Sequence, residues 1–267
     1  MDLKSILATG TEIAREAGAH LRDGLGQGLS IQRKETAVDW VTQYDEQAEA
    51  IIVGRLQAAF PDHGLVAEEG SRANHDSPLT WYIDPLDGTT NFAHGMPIFC
   101  VSMALYEGHT PLVAIIYDPM RDECFCGVAG MGATLTTPSG TVPLRVSQET
   151  ELVDSLLATG FPYDRHNSEQ NNMPQLMAFL KQAQGIRRNG SAALDMANVA
   201  AGRLDGYWEF KLKSWDIAAG VLLVQEAGGL VTGTAGEPFV LSSPVSLLAS
   251  NGRIHTKMVD ILQKAIN

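Results

Sequence analysis

Four acids in three short stretches carry most of the chemistry open to this chain. Asp84 and Asp87 lie in Trp81-Tyr82-Ile83-Asp84-Pro85-Leu86-Asp87-Gly88-Thr89-Thr90-Asn91-Phe92. The apolar, β-prone Trp81-Tyr82-Ile83 reads as a buried strand that delivers Asp84 at its C-terminal end, and Pro85 is expected to stop it. Asp87-Gly88 is a turn pair, and the short polar residues after it suit a helix start. Two carboxylates converging across such a turn repel unless a proton or a cation lies between them. A hard divalent ion suits oxygen ligands, and backbone N–H groups after Asp87 could hold a phosphate at the helix start. An ordinary corner with solvated acids would contain the same pair, so this segment alone leaves both readings open.

Two further acid positions depend on the elements that carry them. Leu65-Val66-Ala67 reads as a short strand running into Glu68-Glu69-Gly70. If it neighbours the strand before Asp84, Glu68 and Asp84 can share an ion, since open sheets site ligands at strand ends. Asp216 precedes residues 217–227, a stretch apolar on nearly every side that should form a helix inside the fold. It can serve simply as the N-cap, or its rigid, ionised carboxylate can act as a ligand.

The surrounding pattern is that of mixed α/β protein. A first amphipathic helix carries Leu3, Ile6, Ile13, Ala17 and Leu21, and a second runs from Asp45 to about Phe60. Between them, residues 34–42 are polar and fit a loop over a site mouth, where Lys34 could meet an anion or simply be solvated. Residues 99–146 read as an antiparallel meander that ends in a short strand at 144–146. The second half alternates, with a strand at 152–158, helices at 172–183 and after Ser191, and a strand running into Glu209. A boundary near residues 147–150 is expected, giving halves 1–148 and 149–267. Of the histidines, only His94 is expected near the site.

The length of 267 residues allows a large core, and 45% apolar with 19% charged residues is a globular composition. A net charge of -12 without a long basic stretch disfavours direct nucleic-acid binding. Cys100, Cys124 and Cys126 lack a zinc spacing and read as buried free thiols in a reducing compartment. Neither a secretory signal nor a membrane span is apparent, so the cytoplasm is the expected location.

The string from Ile83 to Phe92 resembles the first signature of the inositol monophosphatase family, and Trp215-Asp216-Ile217-Ala218-Ala219-Gly220 resembles the second. Lys34 to Asp45, Glu68-Glu69 and Gly190-Ser191-Ala192-Ala193 extend the likeness over essentially the whole chain, in the family's order. Arg187 to Asp195 is especially similar to the bacterial branch, some of whose members associate with the transcription machinery. The resemblance implies a layered αβαβα sandwich with an α+β and an α/β half, of the inositol monophosphatase and fructose-1,6-bisphosphatase type. It also implies a Mg²⁺-dependent, lithium-sensitive phosphomonoesterase, usually a homodimer.

By that resemblance Glu68, Asp84 and the Leu86 carbonyl would hold one Mg²⁺, and Asp84, Asp87 and Asp216 a second, with a third weaker ion near Glu68. Gly88 and Thr89 would bind phosphate oxygens through their backbone. Thr89 with Glu68 would orient and deprotonate the attacking water, and Asp45 would support the Thr89 hydroxyl. Asp87, Gly190, Ser191, Ala192, Glu209 and Asp216 match positions lining the substrate. Departures are few: Ala67 replaces a usual glycine, Cys100 and Trp208 are local substitutions, and Lys211 and Lys213 near the mouth would favour extra negative charge on the substrate. The implied substrate is inositol 1-phosphate. Fructose 1,6-bisphosphate, histidinol phosphate, a nucleotide phosphate or the NADP 2′-phosphate remain alternatives, as does a regulatory role with transcription or ribosomal partners.

Overall fold

Ile6, Ile13, Ala14, Ala17 and Leu21 recur at helical spacing and give α1 (Leu3–Gly24) a single buried stripe. The computed structural model describes residues 2–34 and 40–265, so most of the expected mouth loop, residues 35–39, lies outside the described residues. After α1 come β1 (Ile31–Arg33), β2 (Trp40–Thr42), α2 (Gln43–Ala59), β3 (Gly64–Ala67), β4 (Arg72–Ala73), β5 (Leu79–Asp87) and α3 (Thr89–Ala93). The meander is β6 (Cys100–Glu107), β7 (Thr110–Asp118), β8 (Glu123–Val128), β9 (Gly132–Thr137) and β10 (Gly140–Pro143). The remainder is β11 (Leu156–Thr159), α4 (Met173–Leu180), β12 (Gly185–Arg187), α5 (Ala192–Ala200), β13 (Gly206–Leu212), α6 (Ser214–Glu226), β14 (Leu230–Thr232), β15 (Val245–Ser250) and α7 (His255–Lys264).

Eight strands form one sheet in the order β10-β9-β8-β7-β6-β5-β3-β4, and five form a second in the order β12-β11-β13-β15-β14. Helices α1 and α2 cover the outer face of the large sheet. α5 and α6 lie between the sheets, and α4 and α7 cover the far face of the small one. The result is the expected αβαβα sandwich. Strand alternation produces it directly: on β6, Val101, Met103 and Leu105 join the core under α1, while Cys100, Ala104 and Tyr106 join the core around α6. α6 is buried between two sheets, which explains its apolar surface on almost every side. Gly220 makes its close approach to α5 feasible, because a Cβ there would meet Met196 Cβ at 2.6 Å.

Several boundaries differ from the sequence reading. The chain at 144–146 is not a strand. Leu144 and Val146 are buried there because the segment closes over the core, with the Val146 N–H donating to the Ala227 carbonyl at 3.1 Å. Residues 152–154 form a 3₁₀ turn, so β11 starts only at Leu156. The helix expected over 172–183 is the shorter α4, because Asn172 stands before it in the left-handed region at φ 68°.

α1 is capped by Asp2, whose carboxylate accepts from the Lys4 and Ser5 N–H groups at 3.1 and 3.3 Å. Asp2→Ala is expected to lower stability by about 1 kcal/mol in urea unfolding. An unchanged midpoint and slope would show that the cap contributes nothing.

Candidate active site

β3 and β5 run parallel as neighbours, with Ala67 opposite Ile83, so Glu68 and Asp84 leave adjacent strand ends. β5 does not stop at Pro85. Its pairing with β6 shifts register between Asp84, opposite Ser102, and Asp87, opposite Cys100. A bulge accommodates a proline because the ladder there needs no N–H from it. This irregularity folds the strand end so that the Asp84 carboxylate accepts the Leu86 N–H at 3.0 Å. Gly88 then turns the chain into α3 at φ 107°, where a Cβ would also meet the Ile98 carbonyl oxygen at 2.9 Å.

The other half of the molecule supplies the opposite wall. Ser191 caps α5, and its hydroxyl and the Ala193 N–H donate to Asp87 Oδ2 at 2.6 and 2.7 Å. A helix N-terminus thus holds Asp87 from a segment 104 residues away in sequence. Gly190, at φ 89°, allows the approach of Asn91, whose side-chain amide donates to the Asn189 carbonyl at 2.7 Å. Asp216 is not the N-cap. α6 begins at Ser214, so Asp216 lies within its first turn and reaches back to accept the Lys213 N–H at 2.7 Å.

Asp45 is fully buried on α2. Its Oδ2 accepts from the Thr42 N–H and hydroxyl at 2.8 and 2.6 Å, and its Oδ1 accepts the Thr89 hydroxyl at 2.8 Å. Burial pushes its carboxyl up to about 6, against the pull of the Thr42 hydrogen bonds. Glu209 is also raised by burial, to about 7, opposed by the Tyr207 hydroxyl that donates to it at 2.5 Å.

The acids act on one another. Burial raises the Asp84 carboxyl well above its usual range, and the charges of Glu68, Asp87 and Asp216 add to the effect. Asp216 is raised by burial and then by Glu68 and Asp87, and burial takes Asp87 to about 6 despite its hydrogen bonds. Lys34, a candidate anion contact in the sequence, instead turns onto carboxylates, with Nζ 2.7 Å from Glu68 and 2.6 Å from Glu69. Burial disfavours its charge, but the two glutamates outweigh burial and hold the ammonium above its ordinary value.

These residues fit a divalent cation. The donor set is oxygen only, which suits a hard ion, and Asp84 is 2% exposed with no cationic side chain paired to it among the described residues. Ser102 Oγ, on the strand position opposite Asp84, is a buried oxygen without a protein partner among the described residues. Among the described residues no three His, Cys, Asp or Glu side chains already form a metal cage. The charges of Glu68, Asp87 and Asp216 reach Asp84, and an ion would have to draw their oxygens together.

Sequence reasoning missed two supports. Glu49 is 3% exposed and accepts the Glu69 and Ser71 N–H groups at 2.7 and 2.9 Å, fixing the turn that presents Glu68. Its signal was an acid one helical turn after Asp45, on the buried side of α2. Asp195, 2% exposed, accepts from Asn189 Nδ2 at 2.6 Å and steadies the 189–191 corner. Lys211 bonds Asp164 and Ser168 at 2.6 and 2.7 Å, so it ties down a neighbouring loop rather than standing free for a substrate charge. His94 stacks on Trp40 with ring centroids 5.5 Å apart.

Comparison with known proteins shows similarity over the whole chain. The family model described as the inositol monophosphatase family matches residues 2–267. A Synechocystis protein named inositol-1-monophosphatase is 45% identical over 262 residues, covering 98% of this chain and 90% of its own. A Vibrio cholerae protein named Nus factor SuhB is 42% identical over 243 residues, covering 90% and 89%. The solved structure of inositol monophosphatase from Anabaena (Nostoc) superposes with a TM-score of 0.88 at 42% identity, over 99% of this chain and 97% of that one.

Proposed function

Because the chain belongs to the inositol monophosphatase family, we propose that this phosphatase hydrolyses inositol 1-phosphate to inositol and phosphate with the help of Mg²⁺. The observation that carries the reading is the gathering of Glu68, Asp84, Asp87 and Asp216, from two strand ends and a helix start, into mutual repulsion around the buried Asp84. The relative from Synechocystis supports the substrate.

Glu68, Asp84, the Leu86 carbonyl, Asp87 and Asp216 would hold two Mg²⁺, and a third, weaker ion would share Glu68 only by displacing the Lys34 ammonium from it. When bound, Mg²⁺ lowers the pKa of water and offsets charge on the leaving ester oxygen. The Thr89 hydroxyl donates to Asp45, which leaves its lone pairs to accept from the attacking water. Glu68 would take the proton once its carboxylate is free of Lys34. The Gly88 and Thr89 N–H groups offset charge gathering on the phosphoryl oxygens. Glu209 would accept hydroxyl hydrogens of the polyol, with Ser191 and Ala192 as further substrate-lining positions. Lithium inhibition, a homodimer and a cytoplasmic location complete the proposal; among the described residues no helix is long and apolar enough to cross a membrane.

A panel of monoesters assayed with and without Mg²⁺ tests this. Inositol 1-phosphate should be cleaved fastest, with turnover lost in chelator. Faster cleavage of fructose 1,6-bisphosphate or a nucleotide phosphate would overturn the substrate assignment. The Vibrio cholerae relative's name favours a second reading, a transcription-associated role. Absence of release from every ester, together with binding to purified transcription machinery, would select it.

A further inference from the structure

Cys124 and Cys126 are two residues apart on β8, so both side chains leave the sheet on the face covered by α1. Their sulfurs are 3.5 Å apart, and Cys126 Sγ lies 3.6 Å from Thr11 Oγ1 on α1. Cys124 is wholly buried, while Cys126 is 7% exposed. The half-buried Thr136 and Thr134 stand opposite the two cysteines on β9, so the pair sits at a hydroxyl-lined rim of an otherwise apolar core.

Arg15, one helical turn after Thr11, brings a positive charge to this rim. Its guanidinium bonds Asp122 at 2.5 Å and lies 4.8 Å from the centre of the Tyr117 ring, and Tyr117 is the strand neighbour of Cys124. A neighbouring cation favours a thiolate, and Arg15 acts on Cys126 in this sense although Asp122 pairs with it. The two sulfurs are also unequal. The hydrogen bond they share pushes the Cys126 thiol below its ordinary value and raises Cys124. Cys126, the more exposed of the two, is the nucleophile, and the wholly buried Cys124 is the resolving thiol. Cys100 is wholly buried in the core on the opposite face of the sheet, away from this pair.

We propose that Cys124 and Cys126 form a reversible dithiol site that reacts with hydroperoxides and closes to an internal disulfide. The Cys126 thiolate attacks one peroxide oxygen. The S–O bond forms as the O–O bond breaks, and the second oxygen leaves, taking a proton to become water or an alcohol. The Cys124 sulfur then attacks the Cys126 sulfenic acid, so that the S–S bond forms, the S–O bond breaks, and water leaves with the remaining proton. Two thiols lose two electrons and one hydroperoxide gains them. Alternate residues of a strand have Cα atoms about 6.4–6.8 Å apart, at the upper edge of the roughly 4.4–6.8 Å that a disulfide spans. The bond therefore forms under strain and is readily reduced. Its use is to capture the sulfenic acid before irreversible oxidation.

The full chain treated with equimolar hydrogen peroxide should lose about 2 Da in intact mass. Peptide mapping should place the bond between Cys124 and Cys126, and dithiothreitol should reverse it. C124S should trap a dimedone-reactive sulfenic acid on Cys126, and C126S should give neither product, each variant first matched to wild type by circular dichroism. The wild-type mass alone decides the matter if a variant misfolds. Cys126 staying reduced, advancing to sulfinic acid, or pairing with Cys100 or with a second molecule would overturn the proposal.

Discussion

Asp84→Asn is expected to cut Mg²⁺-dependent phosphate release at least about 100-fold, the scale of one lost electrostatic element, in a protein that stays folded. Asn keeps the shape and the acceptor that takes the Leu86 N–H at 3.0 Å, so the bulge of β5 has no reason to change. What it removes is a buried charge held beside Glu68, Asp87 and Asp216. Without a cation that charge is a burden to the folded state, because a carboxyl pushed above its usual range is destabilising when ionised. The variant should therefore melt in chelator no lower than wild type, while losing most of the Mg²⁺-induced rise in melting temperature. Asp87→Asn should lose activity on the same scale, but it also weakens the link to Ser191 and Ala193. Near-normal turnover in both purified variants would remove the metal-centred mechanism.

What was legible in the sequence is what local periodicity and turn chemistry determine. The unbroken apolar surface of residues 217–224 required a helix with protein on every side, and α6 lies between two sheets. Leu65-Val66-Ala67 gave β3 and placed Glu68 at its end. Pro85 was misread as a stop because a proline's missing N–H ends a ladder only where an N–H is needed, and that depends on the register with β6. No local pattern carries that information. Asp216 was placed one turn too early in its helix for a similar reason. Ser214 and Trp215 have no apolar periodicity of their own, yet packing makes them helical. Lys34 shows the same limit: its charge is written in the sequence, but its partners, Glu68 and Glu69, arrive through folding. The resemblance to a family supplied the ligand set that spacing alone left open.

Mg²⁺ should stabilise the protein far more at pH 8 than at pH 5. In the folded chain Asp45 and Asp87 are raised to about 6, Glu209 to about 7 and Glu69 to about 8, whereas unfolded carboxyls titrate near 4. Between those bounds the folded state holds protons that the unfolded chain has released, so the metal-free protein loses stability as pH rises through that window. Other groups act differently, and burial lowers His63 as well as His255. Burial lowers His255 to about 4, which makes stability rise with pH between there and about 6.5. Lys34 is raised above its unfolded value, so its contribution stays complete throughout and is lost only at far more alkaline pH. Both curves contain the His255 contribution, and the difference between chelated and Mg²⁺-loaded protein removes it. A divalent ion competes with protons for the acids, so this difference grows as they ionise. At a Mg²⁺ concentration 100 times its dissociation constant the gain is about 2.7 kcal/mol, or about 5–10 °C in melting temperature for a chain of this size. Calorimetric melting from pH 5 to pH 8, in chelator and in Mg²⁺, reads it directly. A shift as large at pH 5 as at pH 8 would mean that the ion does not bind at Asp84, Asp87 and Asp216, all of which are raised in the metal-free chain.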